Sequence, residues 1–132
     1  MVINELIIKE LLEKASTNER KRINYDLRNN DTDTSQRMLN ALMPETIVDI
    51  HRHTKTSETI IILHGEVTEI FYDENGKEIV RYTLSPNSGN IGLQIPKGQW
   101  HSIVANEPSV IIEMKDGKYI PLGKEDILKV KM

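Results

Sequence analysis

Apolar and polar residues follow one another along this chain with two different periods. Around residues 4 to 15, Ile3, Leu6, Ile7, Leu11 and Leu12 recur at roughly helical spacing, and Glu5, Lys9, Glu10 and Glu13 take the other side. Asn4 is a suitable N-cap, so the pattern predicts an amphipathic helix here. Ser16-Thr17-Asn18 ends it, a basic cluster of Arg20, Lys21 and Arg22 follows, and the polar run from Asn29 to Ser35 reads as a loop.

From Gln36 the period shortens. β-rich runs cover residues 36–43, 46–50, 59–63, 67–72, 78–84, 91–95, 101–104 and 109–114, separated by Pro44, Gly65, Asp73-Glu74-Asn75-Gly76, Ser85-Pro86-Asn87-Ser88-Gly89 and Pro96-Lys97-Gly98. About eight short strands with such breaks predict a mainly β barrel or sandwich. Ile91-Gly92-Leu93-Gln94-Ile95 alternates, which gives it one core face. Ile60-Ile61-Ile62 and Val110-Ile111-Ile112 do not alternate, so both their faces should be covered, by barrel interior on one side and by the helix or a partner subunit on the other. A homodimer is the expectation.

The length of 132 residues suits one domain over residues 1–132: helix and polar arm to 35, barrel from 36 to 120, tail from 121 to 132. Composition narrows the chemistry. There is no cysteine, which removes disulfides and thiolate ligands together. Basic and acidic residues number 17 and 20, mixed along the chain with a net charge of -3, so a nucleic-acid partner is not expected. No stretch has the pattern of a secretory signal or a membrane span, and the expected location is the cytoplasm with no membrane partner.

Three of the four histidines fall in a suggestive arrangement. His51 and His53 stand at i and i+2, which in a strand point to one face. Glu58 returns after a polar turn, and the Pro96 and Gly98 turn delivers His101 at the start of a later strand. Three imidazoles and a carboxylate suit one divalent transition ion, iron, manganese, nickel, zinc or copper, better than magnesium or calcium. An octahedral ion held so would keep two open positions. His64 has no such company and reads as structural. Trp100, next to His101 on a strand, should face away from the metal and pack outside the barrel.

Arg37 sits in an otherwise apolar run, Met38, Leu39, Ala41 and Leu42, where a charge needs an ion-pair partner such as Glu113 or a bound ligand. Arg37 and Lys115 are therefore candidate contacts for a small polar or anionic ligand. Tyr25 and Tyr119 are the weakly placed candidates for a catalytic base, because the pattern leaves no histidine free for that role.

These residues resemble the cupin family, whose first motif runs His-x-His, three or four residues, Glu, six residues, Gly, and whose second runs Pro-x-Gly-x-x-His. Here they read His51-Arg52-His53, Glu58, Gly65 and Pro96-Lys97-Gly98-Gln99-Trp100-His101. Glu45 and Asn90 stand where the motifs usually open with glycine, and the closing Asn of the second motif arrives one residue late as Asn106. Over almost its full length the chain is similar to the small WbuC-like cupins, through Arg20-Lys21-Arg22-Ile23-Asn24, residues 36–42 and residues 113–121. The resemblance implies a jelly-roll barrel with a short N-terminal helix, a bound metal and a link to bacterial surface-polysaccharide genes. It also implies that Arg22 and Asn24 belong to the ligand site, while Arg28 lies where that family usually has a His. The reactions within reach are a metal-dependent isomerase or epimerase on a sugar, sugar nucleotide or other small polar metabolite, or an iron-dependent dioxygenase. A non-catalytic sugar-binding or regulatory protein is the alternative.

Overall fold

The computed structural model describes residues 1–128; the last part of the expected tail, residues 129–132, lies outside them. Helix α1 spans Glu5–Thr17. The Asn4 side-chain oxygen accepts from the backbone N–H of Leu6 at 3.1 Å and of Ile7 at 3.2 Å, satisfying two donors that the first turn leaves open. Replacing Asn4 by Ala should cost about 1 kcal/mol of stability in denaturant unfolding. Leu11 and Ala15 are buried and Ile7, Ile8 and Leu12 half-buried beside them, whereas Leu6 is exposed. Residues spaced by three, four and seven share a face, and Leu6 falls off the buried stripe once Leu11 and Ala15 define it.

Ten strands follow: β1 Arg22–Asp26, β2 Ser35–Leu42, β3 Ile50–His51, β4 Glu58–His64, β5 Val67–Tyr72, β6 Glu78–Leu84, β7 Gly92–Ile95, β8 Trp100–Ala105, β9 Ser109–Asp116 and β10 Ile127–Leu128. They form two five-stranded antiparallel sheets, β1-β2-β9-β4-β7 and β10-β3-β8-β5-β6. Inward side chains of both sheets meet in one core, Leu42, Ile60, Ile62, Ile95 and Ile111 from the first with Val67, Leu84, Ile103 and Ala105 from the second. This is the jelly-roll architecture.

The first sheet is covered on both faces. Ile111 points into the barrel, while Leu39, Ala41, Val110 and Ile112 lie on the outer face beneath α1. That double cover accounts for the non-alternating run in β9.

Along the inward positions of each strand the chemistry changes from one end to the other. In β9 Lys115 and Glu113 give way to Ile111, in β5 Glu69 gives way to Val67, and in β2 Gln36, Met38 and Asn40 give way to Leu42. One end of the barrel is filled by aliphatic side chains. The other is a polar cavity.

Three segments differ from the sequence reading. The polar arm contains β1, paired with β2 from Arg22↔Leu42 to Asp26↔Met38. The run 46–50 contributes only Ile50 to a strand, because the Thr46 hydroxyl donates to the Lys21 carbonyl and accepts from Met43 N–H, holding its start in a turn. The tail includes β10, whose Ile127 pairs with His51. No helix among the described residues is long and apolar enough to cross a membrane.

Candidate metal centre

His51 and His101 are register partners on β3 and β8, which places both imidazoles on the inner face with ring centroids 4.2 Å apart. His53 follows just beyond β3, its ring 5.2 Å from that of His51 and 5.9 Å from that of His101. One ring nitrogen from each of the three falls within 4.8 Å of the others. Glu58 opens β4 on the facing sheet, and its Oε2 lies 3.7 Å from His53 Nε2 and 3.5 Å from His101 Nε2. The structure thus clusters the three histidines of the sequence pattern and places Glu58 against two of them, His53 and His101.

The connecting segment is anchored from several sides. Arg52 Nε donates to Asp126 Oδ1 at 2.9 Å, and its guanidinium lies 4.5 Å from the Trp100 ring centre. Gly98 N–H donates to His53 O at 2.8 Å, and Asp116 accepts from Ser57 N–H at 2.8 Å. Trp100 is buried on the face of β8 away from the histidines, as strand alternation requires.

The ring tautomers follow from the backbone. His51 Nδ1 is 2.9 Å from Asp49 O and His101 Nδ1 is 2.9 Å from Gln99 O. A carbonyl can only accept, so each Nδ1 carries the hydrogen and each Nε2 of a neutral ring presents its lone pair to the centre. Backbone carbonyls commonly orient metal-binding imidazoles in this way.

Burial, with the neighbouring His101, lowers the His51 pKa to about 4. Burial and the positive charge of Lys115 lower that of His53 to about 4 as well. Glu58 would be raised by its own burial, but His101 and Lys115 outweigh that and hold it down to about 2. At neutral pH His51 and His53 are neutral and Glu58 is anionic, the protonation states that coordinate a cation.

Glu58 Oε2 is buried and has no hydrogen-bond partner among the described residues. An orphaned carboxylate oxygen facing the lone-pair side of an imidazole is repulsive unless a cation lies between them. The four residues therefore fit a divalent metal ion. Because the two shifted imidazoles take up protons only near pH 4, metal retention should persist through pH 6 and fall steeply toward pH 4. Dialysis at stepped pH followed by elemental analysis checks this.

The centre opens on a cavity of about 490 Å³, within the range of small-molecule sites. Arg22, Asn24 and Lys115 line it, the first two because β1 turns them inward opposite Leu42 and Asn40. Arg37 does not. Gln36, Met38 and Asn40 take the inner face of β2, so alternation sends Arg37 outward, where it pairs with Asp33 at 3.2 Å rather than with Glu113. Arg28 is held by Asp26 at 2.8 Å, and Tyr119 lines the mouth of the cavity. Tyr25 and His64 are exposed and do not line it.

Two acids on the strands of the cavity wall were not read as site residues from the sequence: Glu69 on β5, and Glu113 on β9, which the sequence offered only as a partner for Arg37. Burial and the negative charge of Glu58 raise both, Glu113 to about 7. The available signal was an acidic residue inside an otherwise apolar strand, as in Val67-Thr68-Glu69-Ile70-Phe71.

A family profile described as "Domain of unknown function (DUF6016)" matches residues 3–84, well over half of the chain. The chain belongs to the DUF6016 family. The matched region of this DUF6016 protein runs from α1 through β6 and holds His51, His53 and Glu58, with His101 beyond it. No curated relative matches the sequence.

Among solved structures, the chain is similar to TT1209 from Thermus thermophilus, with a TM-score of 0.62 and 22% identity over 90% of this chain and 100% of that one. It is also similar to CapF, a capsular polysaccharide assembling protein from Staphylococcus aureus, with a TM-score of 0.66 and 20% identity over 88% of this chain but only 33% of CapF. KdgF from Halomonas sp. matches at a TM-score of 0.61 and 14% identity, over 78% of this chain and 85% of that one. These are cupin-fold proteins, and the DUF6016 chain has the cupin fold.

Proposed function

We propose that this protein is a metal-dependent cupin enzyme that binds a sugar, sugar nucleotide or other small polar metabolite in the cavity beside His51, His53, Glu58 and His101. The observation that carries this reading is the cluster of three imidazoles, two of them facing the unpartnered Glu58 oxygen, at the wall of an open cavity. A bound divalent ion there supplies Lewis-acid polarisation of a ligand oxygen.

The chain's own residues supply the rest. Lys115, register partner of Glu58, and Arg22 on the edge strand offer positive charge to an anionic group. Glu113, with its carboxyl raised to about 7 by burial, exchanges a proton near neutral pH, as a general acid–base must. That supports isomerase or epimerase chemistry, for which the sequence motifs alone offered no base. The WbuC resemblance supports a setting in surface-polysaccharide metabolism, and CapF, which shares the fold, is named for capsular polysaccharide assembly.

Anaerobic, chelator-free purification with elemental analysis, followed by turnover assays on sugars and sugar nucleotides, tests the proposal. Metal-dependent conversion that His51→Ala abolishes is the expected result. Ligand-induced stabilisation without conversion would instead make the protein a binder, and oxygen consumption coupled to iron would make it a dioxygenase.

A further inference from the structure

Deeper in the cavity than His51, His53, Glu58 and His101, the wall holds polar atoms with nothing to bond to. Both carboxyl oxygens of Glu69, a side chain with no exposure, lack a hydrogen-bond partner among the described residues, and so does Asn40 Oδ1. Asn40 Nδ2 reaches Glu113 Oε1 at 3.5 Å, so its amide is turned with the oxygen left over. All three residues line the same cavity; Glu69 and Glu113 sit two residues along the strands from the level of His101 and Glu58, and Asn40 sits four. Leaving such groups unpaired is costly, and native proteins rarely do so without a reason.

We infer that Glu69, Asn40 and Glu113 form a recognition floor for the hydroxyl groups of a polyhydroxylated carboxylate, whose charged end lies toward Lys115. This rests on the reading of the cavity as a ligand site and names the class of ligand.

The floor presents acceptors without matching donors, so its occupant must bring donors. An anionic group cannot lie there, because Glu69 and Glu113 surround it. An ammonium would meet Arg22 and Lys115 in the same cavity and would cost more to desolvate than a hydroxyl. A second metal ion is also disfavoured, since the three glutamates do not bring their oxygens together as the histidines bring their nitrogens. A hydroxyl meets every demand. It donates to the unpartnered Asn40 Oδ1 or to a Glu69 oxygen and brings no charge into the floor. Lys115 is nearer the opening than Glu113 along β9 and carries the only charge type there that suits a carboxylate.

The test measures binding to the full-length protein by calorimetry and thermal shift for three six-carbon probes: D-gluconate, hexanoate and sorbitol. Gluconate should bind about tenfold or more tightly than hexanoate, which lacks the hydroxyls, and than sorbitol, which lacks the charge. Glu69→Leu and Asn40→Leu should each erase the preference of gluconate over hexanoate, and Glu69→Gln should keep part of it. Glu69→Leu removes an unpaired buried acid and is expected to fold with unchanged or raised Tm, so loss of binding would not reflect unfolding. Equal binding of gluconate and hexanoate, no binding of gluconate at all, or wild-type preference in both leucine variants would overturn the inference. Metal content determined on the same samples separates the two readings: metal-free protein that still prefers gluconate keeps the floor and rejects the metal centre, and metal-containing protein without the preference does the reverse.

Discussion

His101→Ala and His51→Ala are each expected to reduce bound transition metal from one ion per chain to a small fraction of that. Altering a group that merely orients a ligand costs on the order of 10–100-fold in metal affinity, and removing a ligand should cost at least as much. The effect has a second readout. An ion present at a thousandfold excess over its dissociation constant stabilises the folded state by about 4 kcal/mol, which for a domain of this size raises Tm by roughly 10 °C or more. Wild-type protein should show that rise when metal is restored after chelation, and both variants should lose it. His64→Ala is the control, because His64 lies exposed at the end of β4 and should change neither quantity. A full metal-dependent rise in His101→Ala would remove that residue from the centre.

Gly65→Ala should be the most damaging substitution of a single small residue. Gly65 joins β4 to β5 at φ +84°, a conformation that an L side chain adopts with strain. A Cβ there would stand 2.5 Å from the Pro108 carbonyl oxygen and against the Ser109 hydroxyl. Ser109 is fully buried, and its hydroxyl accepts from Glu66 N–H at 3.0 Å and reaches Glu107 O at 2.6 Å, so it has no room to move. Strain and overpacking together predict a loss of about 2–5 kcal/mol in denaturant unfolding. Gly98 provides the comparison. It has φ +80° but nothing within 4 Å of an added Cβ, so Gly98→Ala should show only the strain, about 1–2 kcal/mol. Equal losses at the two positions would mean that the contacts around Gly65 do not set its cost.

Much of this was legible in the sequence because the signals are local. The Asn4 cap, the turns at Asp73 to Gly76 and Pro96 to Gly98, and the spacing of His51, His53, Glu58 and His101 depend on short stretches of chain. What escaped depends on pairing over long distances. β1 reads as polar because its inner face, Arg22 and Asn24, lines a polar cavity, so the alternation that marks a strand with an apolar core is missing. β10 exists through its partner β3 rather than through any pattern of its own. Arg37 illustrates the ambiguity of strand parity: it is flanked by Gln36 and Met38, and only the pairing of Met38 with Glu113 shows which of these neighbours point inward. The same register would have exposed Glu69 and Glu113 as cavity residues, since a charge inside an apolar strand points either to a ligand or to water.

The central claim is that three histidines and one glutamate form a metal centre, and its most direct test is anomalous diffraction from crystals of protein purified without chelator, collected on both sides of the absorption edge of the metal found in the sample. A single anomalous peak about 2.0–2.2 Å from His51 Nε2, His101 Nε2, a His53 ring nitrogen and Glu58 Oε2 is the predicted result. Stoichiometric metal with its peak elsewhere, or ordered side chains with no peak between them, would contradict it.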